Sequence, residues 1–98
     1  MANLPETIRI GGTDYNILEI EDLQDEGKWL SGQILYDVCK IKIESELAEH
    51  RKFIATWHET LHGILEHAGM GDHDERIIVA LAYGITQVLR DNEYLRNG

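Results

Sequence analysis

His58-Glu59-Thr60-Leu61-His62 spells HExxH, and each position has a chemical reason. Two histidines four apart on a helix stand about 40° apart around its axis and one turn apart along it. Both imidazoles can therefore reach one metal ion from one face. Glu59 lies on the flank of that face, near a metal-bound water but outside the ligand set. A carboxylate there is placed as a general base, and the run as a whole is the signature of zinc-dependent peptide hydrolysis. In that chemistry zinc acidifies its bound water and polarises the scissile carbonyl. Glu59 takes the water proton and later passes it to the leaving amine.

Two histidines do not complete such a site, because catalytic zinc usually has three protein ligands and a water. A metzincin-type spacing would need Gly at position 65 and His at position 68, where this chain has Leu65 and Ala68. His67 is five residues after His62 and is turned about 140° from the metal face. The remaining donors cluster in Asp72-His73-Asp74-Glu75. Glu75 is the best third ligand. It precedes Ile78 by three and Ala82 by seven, so it continues an apolar helical stripe, and a carboxylate on a buried stripe needs a partner. His73 is its chief rival, with Asp72 and Asp74 behind it. Asp72-x-x-Glu75 also has capping-box spacing, which would employ Glu75 at the helix N-terminus instead. Tyr36, Tyr83 and His73 are candidate second donors to an oxyanion.

These side chains need elements to hold them. Thr7–Ile10 and Tyr15–Glu19 flank the turn residues Gly11-Gly12-Thr13-Asp14 and read as a hairpin. The acidic stretch from Glu19 through Gly27 reads as a solvated loop. Ser31–Tyr36 reads as a third strand whose glycine would let an extended peptide pair along it. After a weak turn at Asp37–Cys39, Lys40-Ile41-Lys42-Ile43-Glu44 alternates with isoleucines in and lysines out, which also suits a protected edge. Ser45 is an expected N-cap for a helix from Glu46 to Ala68, with a stripe of Leu47, Ile54, Leu61, Leu65 and Ala68. Gly69 fits its C-terminal cap. A second helix is expected from Asp72 or Asp74 to near Asn92, with Ile78, Leu81, Ala82, Ile85, Val88 and Leu89 inward, followed by a loose tail over 93–98. The chain is thus predicted to be α+β: a small, mainly antiparallel sheet packed on two helices.

Ninety-eight residues, 43% hydrophobic, suit one domain with one modest core. The net charge of −9 argues against nucleic acid or an anionic membrane as partner. No apolar run reaches the ~18 residues of a membrane span, and Met1–Glu6 lacks the pattern of a secretory signal. Cys39 is alone, so no internal disulfide forms. A cytoplasmic protein is expected.

Ile54-Ala55-Thr56-Trp57-His58-Glu59-Thr60-Leu61-His62-Gly63-Ile64-Leu65 resembles the active-site helix of small ImmA/IrrE-like zincins. Gly32-Gln33 followed by Ile41-Lys42-Ile43 resembles the two preceding strands of short phage-encoded members. Asp74-Glu75-x-x-Ile78-Val79-x-Leu81-Ala82 resembles their glutamate-bearing helix. The resemblance spans roughly residues 30–92, and the size is similar to that of the minigluzincins. It implies a small twisted sheet over an active-site helix and a glutamate helix, with zinc on His58, His62 and Glu75, and Glu59 as base. It also implies a peptide or protein substrate, in a host cytoplasm if the chain is phage-encoded. Two other function classes compete. One is a non-catalytic, zinc-stabilised interaction module, such as a phage accessory protein, in which the ion contributes folding free energy. The other is a metal-free α+β binding protein. A structural site has no need of Glu59.

Overall fold

A computed structural model of the protein describes residues 4–97; Met1–Asn3 and Gly98 lie outside the described residues. The chain runs through β1 (Thr7–Ile10), β2 (Thr13–Ile20), β3 (Gln24–Asp25), β4 (Lys28–Trp29), β5 (Gly32–Leu35), β6 (Lys40–Glu44), α1 (Glu49–His67), α2 (Glu75–Asp91) and α3 (Glu93–Asn97). The α+β class and the β1–β2 hairpin match the sequence reading. The tail expected to be loose carries the short α3. The acidic stretch is not all loop, since its end forms β3, which pairs with β4 just beyond Gly27 in a two-stranded hairpin.

The main sheet has the order β1-β2-β6-β5 and is mixed. β1–β2 and β5–β6 are antiparallel, as expected, but the central β2–β6 pairing is parallel, from Asn16 opposite Lys40 to Ile20 opposite Glu44. The reason lies in β6. Its isoleucines, Ile41 and Ile43, are both fully buried, whereas β5 is half-buried along its length. The strand with more apolar surface to hide takes the interior place, and β5 is left at the edge. The lysines of β6 therefore do not guard an edge. They stand half-buried on the sheet face opposite the isoleucines, as period-2 alternation requires.

α1 begins at Glu49 instead of Glu46, and Ala48 occupies the N-cap position without a side-chain hydrogen bond. Ser45 does not cap because it is still tied to the sheet. Its N–H donates to the Ile20 carbonyl at 2.9 Å. The Glu44 carboxylate holds the same corner, accepting from the N–H groups of Leu23 and Glu46 at 2.8 and 3.0 Å.

The buried face of α1 consists of Ala55, Thr56, Glu59, Thr60 and Gly63, small or polar residues for the most part. The expected stripe of Leu47, Ile54, Leu61 and Leu65 is only half-buried, and Ala68 is exposed. Small residues win because they let the helix lie close on the sheet. A Cβ on Gly63 would fall 2.9 Å from Ile10 Cδ1 and 3.1 Å from Ile34 Cδ1. Thr56 is satisfied by donating to the Lys52 carbonyl one turn back, at 2.8 Å. The main core is Ile10, Tyr15, Ile17, Ile41, Ile43 and Ala55.

Among the described residues, the backbone of α2 runs close to α1 and α3 and close to none of the strands. The layers are therefore sheet, α1, α2, and the sheet packs on one long helix instead of two. On α2, Ile78 and Ala82 are buried as expected and Ile85 and Leu89 half-buried, while Leu81 and Val88 face outward. No helix among the described residues is long and apolar enough to cross a membrane.

Candidate metal centre

His58 and His62 sit mid-way along α1, on the side turned to α2 and next to the buried face. Their ring centroids are 5.0 Å apart. Glu75 is the first residue of α2. Asp74 caps that helix, its carboxylate accepting from the Arg76 N–H at 3.0 Å. The capping-box pairing of Asp72 with Glu75 is thus not used, and the Glu75 side chain is free to turn toward α1. Its Oε1 lies 2.5 Å from His58 Nε2 and its Oε2 3.1 Å from His62 Nε2. Among the described residues, His58, His62 and Glu75 form a group whose ligand atoms all lie within 4.8 Å of one another and which can hold a metal ion.

The other candidates are directed elsewhere. His67 Nε2 pairs with the Tyr15 hydroxyl at 2.8 Å, under the β1–β2 turn. Asp74 is committed to capping. His73 stands behind His62, with the two Nδ1 atoms 2.7 Å apart, and offers no nitrogen to the group.

Glu59 faces the opposite wall. It is 8% exposed and lies against Gly32 of β5, where a Cβ would come within 3.2 Å of Glu59 Cγ and 3.3 Å of Oε2. Burial pushes its carboxyl up to about 7, the Glu75 charge adds to the rise, and a hydrogen bond from the Ile34 backbone partly offsets it. Burial also lowers the His62 pKa, against the pull of Glu75. That favours the neutral imidazole a metal requires.

An open cleft of about 380 Å³ joins these groups. Ser31 and Gly32 line one side of it, and Val79 and Tyr83 of α2 the other. Of the candidate oxyanion donors, Tyr83 alone lines the cleft, and its hydroxyl accepts from Arg51 Nη1 at 3.3 Å. Tyr36 lies outside it, with its phenol pushed up to about 12 by burial and by nearby Glu66. Sequence reasoning missed Arg51, which lines the cleft from the first turn of α1. Its distance of seven residues from His58, two turns along one helix face, was the available signal.

Compared with protein-family models, curated proteins and solved structures, the chain matches none. The chemistry of the site therefore rests on its own residues. Two imidazole nitrogens and a carboxylate oxygen converge on one point. A buried carboxylate with a raised pKa stands beside them, and an open cleft gives access to all four.

Proposed function

We propose that this protein is a small zinc-dependent metallopeptidase, similar in plan to the phage-type ImmA/IrrE-like zincins. His58, His62 and Glu75 would hold the metal and Glu59 would act as base. The observation that carries the proposal is the convergence of the Glu75 carboxylate on both Nε2 atoms, with buried Glu59 lining the same cleft. The donor set fits zinc: two imidazoles and one carboxylate leave a fourth position for water or substrate. Zinc bound there would act as a Lewis acid on a carbonyl and would acidify water.

The chain's own residues would do the rest. Glu59, in the cleft beside the ligand group but outside it, is suited to take a proton from water and return it to the leaving amine. Gly32 lets β5 lie close against the Glu59 carboxylate, where a larger residue would crowd it. β5 is the free edge of the sheet beside the cleft, and an extended peptide can pair along Gly32–Leu35 by strand addition. Val79 and Tyr83 offer apolar surface to a substrate side chain on the other wall.

A second reading is a non-catalytic zinc-stabilised interaction module. Ile77, Leu81 and Val88, apolar residues left exposed on α2, favour it. Incubation of the zinc-loaded protein with a peptide library, read by mass spectrometry, separates the two. Cleavage by the wild type and none by a zinc-loaded Glu59→Gln variant supports the peptidase. Equal cleavage by both would remove Glu59 from the mechanism, and no cleavage by either favours the interaction module.

A further inference from the structure

We infer that His73 is a positioning residue for the metal centre: it accepts a hydrogen bond from Nδ1–H of His62 and thereby fixes the tautomer that presents Nε2 to the metal. This inference rests on the metal-centre reading above and assigns a residue that reading leaves idle.

The assignment follows from proton placement. The two Nδ1 atoms are 2.7 Å apart, and the ring planes are inclined by 27° with centroids 4.9 Å apart, so the rings meet edge to edge at these nitrogens. Two like nitrogens at that distance need one proton between them, so one ring donates and the other accepts. His62 Nε2 is the atom directed at Glu75 and at the shared metal position. A ligating nitrogen carries no proton, so with a metal on Nε2 a neutral His62 would carry its proton on Nδ1. His73 Nδ1 is then the acceptor, and His73 carries its own proton on Nε2. Metal-bound histidines regularly need such a partner for the second nitrogen, because it holds ring orientation and tautomer together.

The surroundings of His73 agree. Its side chain is 9% exposed, and its Nε2 is buried with no hydrogen-bond partner. The acidic group facing that nitrogen is Glu66, with Oε1 at 4.0 Å. Glu66 is one turn after His62 on α1, so the two flank His73 on one helix face. A shift of roughly 1 Å would bring the Nε2–H and the carboxylate into hydrogen-bond range. That closure would line up Glu66, His73 and His62 behind the metal.

His73 also precedes Glu75 by only two residues. The connection between α1 and α2 holds Gly69 and Gly71 and no regular structure over 70–74. Docking His73 under His62 ties that connection to α1 just before it delivers Glu75. One short segment thus supplies a ligand and the partner of another ligand.

Zinc affinity by competition with a chromogenic chelator tests the inference on the full chain. The proteins are the wild type, His73→Ala, His73→Asn and Glu75→Ala, with the melting temperature of each metal-free protein as a fold control. His73→Ala should weaken zinc binding ~10–100-fold, the usual cost of losing such a partner. Glu75→Ala should weaken it further. His73→Asn should recover most of the loss, because its Oδ1 can stand where the acceptor Nδ1 stood. In long-range proton–nitrogen NMR of the zinc-loaded wild type, His62 should be protonated at Nδ1. The inference is overturned if His73→Ala binds zinc like the wild type, if Asn is no better than Ala, or if His73→Ala loses as much as Glu75→Ala, which would make His73 a ligand. Failure of the wild type itself to bind zinc would strike the metal-centre reading first, and this inference with it.

Discussion

Glu59 gives a sharp energetic expectation in the metal-free protein. Its carboxyl is buried, with a pKa raised from 4.5 to about 7. In the unfolded chain the same group titrates near its ordinary value. The folded state therefore holds this proton more tightly than the unfolded state does. Stability from Glu59 is fully present below about pH 4.5 and is lost as pH rises toward and through 7. At about 1.4 kcal/mol per pH unit, the displacement costs the ionised folded state ~3 kcal/mol above neutrality. Glu59→Gln removes the titration while keeping the shape. Urea unfolding of both proteins at pH 4.5, 6 and 8, freed of metal by dialysis against chelator, isolates the effect, because titrations elsewhere are common to both. The stability difference should move in favour of Gln by ~3 kcal/mol between pH 4.5 and 8, most of it between 5 and 7. A difference that stays within about 0.5 kcal/mol across that range would mean that the carboxylate is hydrated in the fold, and would remove the basis for its poised pKa.

Other perturbations test the fold and the site. Ile43→Ala empties a fully buried position on the central strand and should cost about 2–5 kcal/mol in urea unfolding. Gly11→Ala should destabilise by ~1–3 kcal/mol, because Gly11 has a φ of 57° and an added Cβ would fall 2.6 Å from His67; a melting temperature unchanged from the wild type would contradict the close packing of that turn. Zinc at one hundred times its Kd should stabilise the wild type by about 2.7 kcal/mol, seen as a rise in melting temperature, and the same zinc concentration should do far less for Glu75→Ala.

The parts legible in the sequence were those set by local periodicity. HExxH, the alternation of β6 and the helix that follows Asp74 each announce themselves within a dozen residues. The spacing of Glu75 to Ile78 and Ala82 pointed it toward α1, and the structure turns it to His58 and His62, but its side chain is 60% exposed, so the expected burial of that carboxylate is not found. What the sequence hid depends on distant partners. Ser45 looks like an N-cap until its backbone is claimed by Ile20, 25 residues earlier in the chain and on a different strand. The parallel β2–β6 pairing follows from competition between strands for the interior, which no strand reveals alone. The buried face of α1 escaped notice because Ala55, Thr56 and Gly63 carry little hydrophobic signal, although their small size is what admits the helix to the sheet. His73 was visible as a rival ligand or an oxyanion donor but not as a partner of His62, since that contact spans the turn between two helices.

His58, His62 and Glu75 are proposed to form one zinc site, with Glu59 beside it and outside the ligand set. Zinc stoichiometry at neutral pH, measured by metal analysis after equilibrium dialysis, tests this most directly when made on the wild type, Glu59→Gln and the triple alanine variant of the three ligands. One zinc per chain is expected for the wild type and for Glu59→Gln, and none for the triple variant. A wild type that takes up no zinc, or a triple variant that keeps it, would show that these three residues do not form the site.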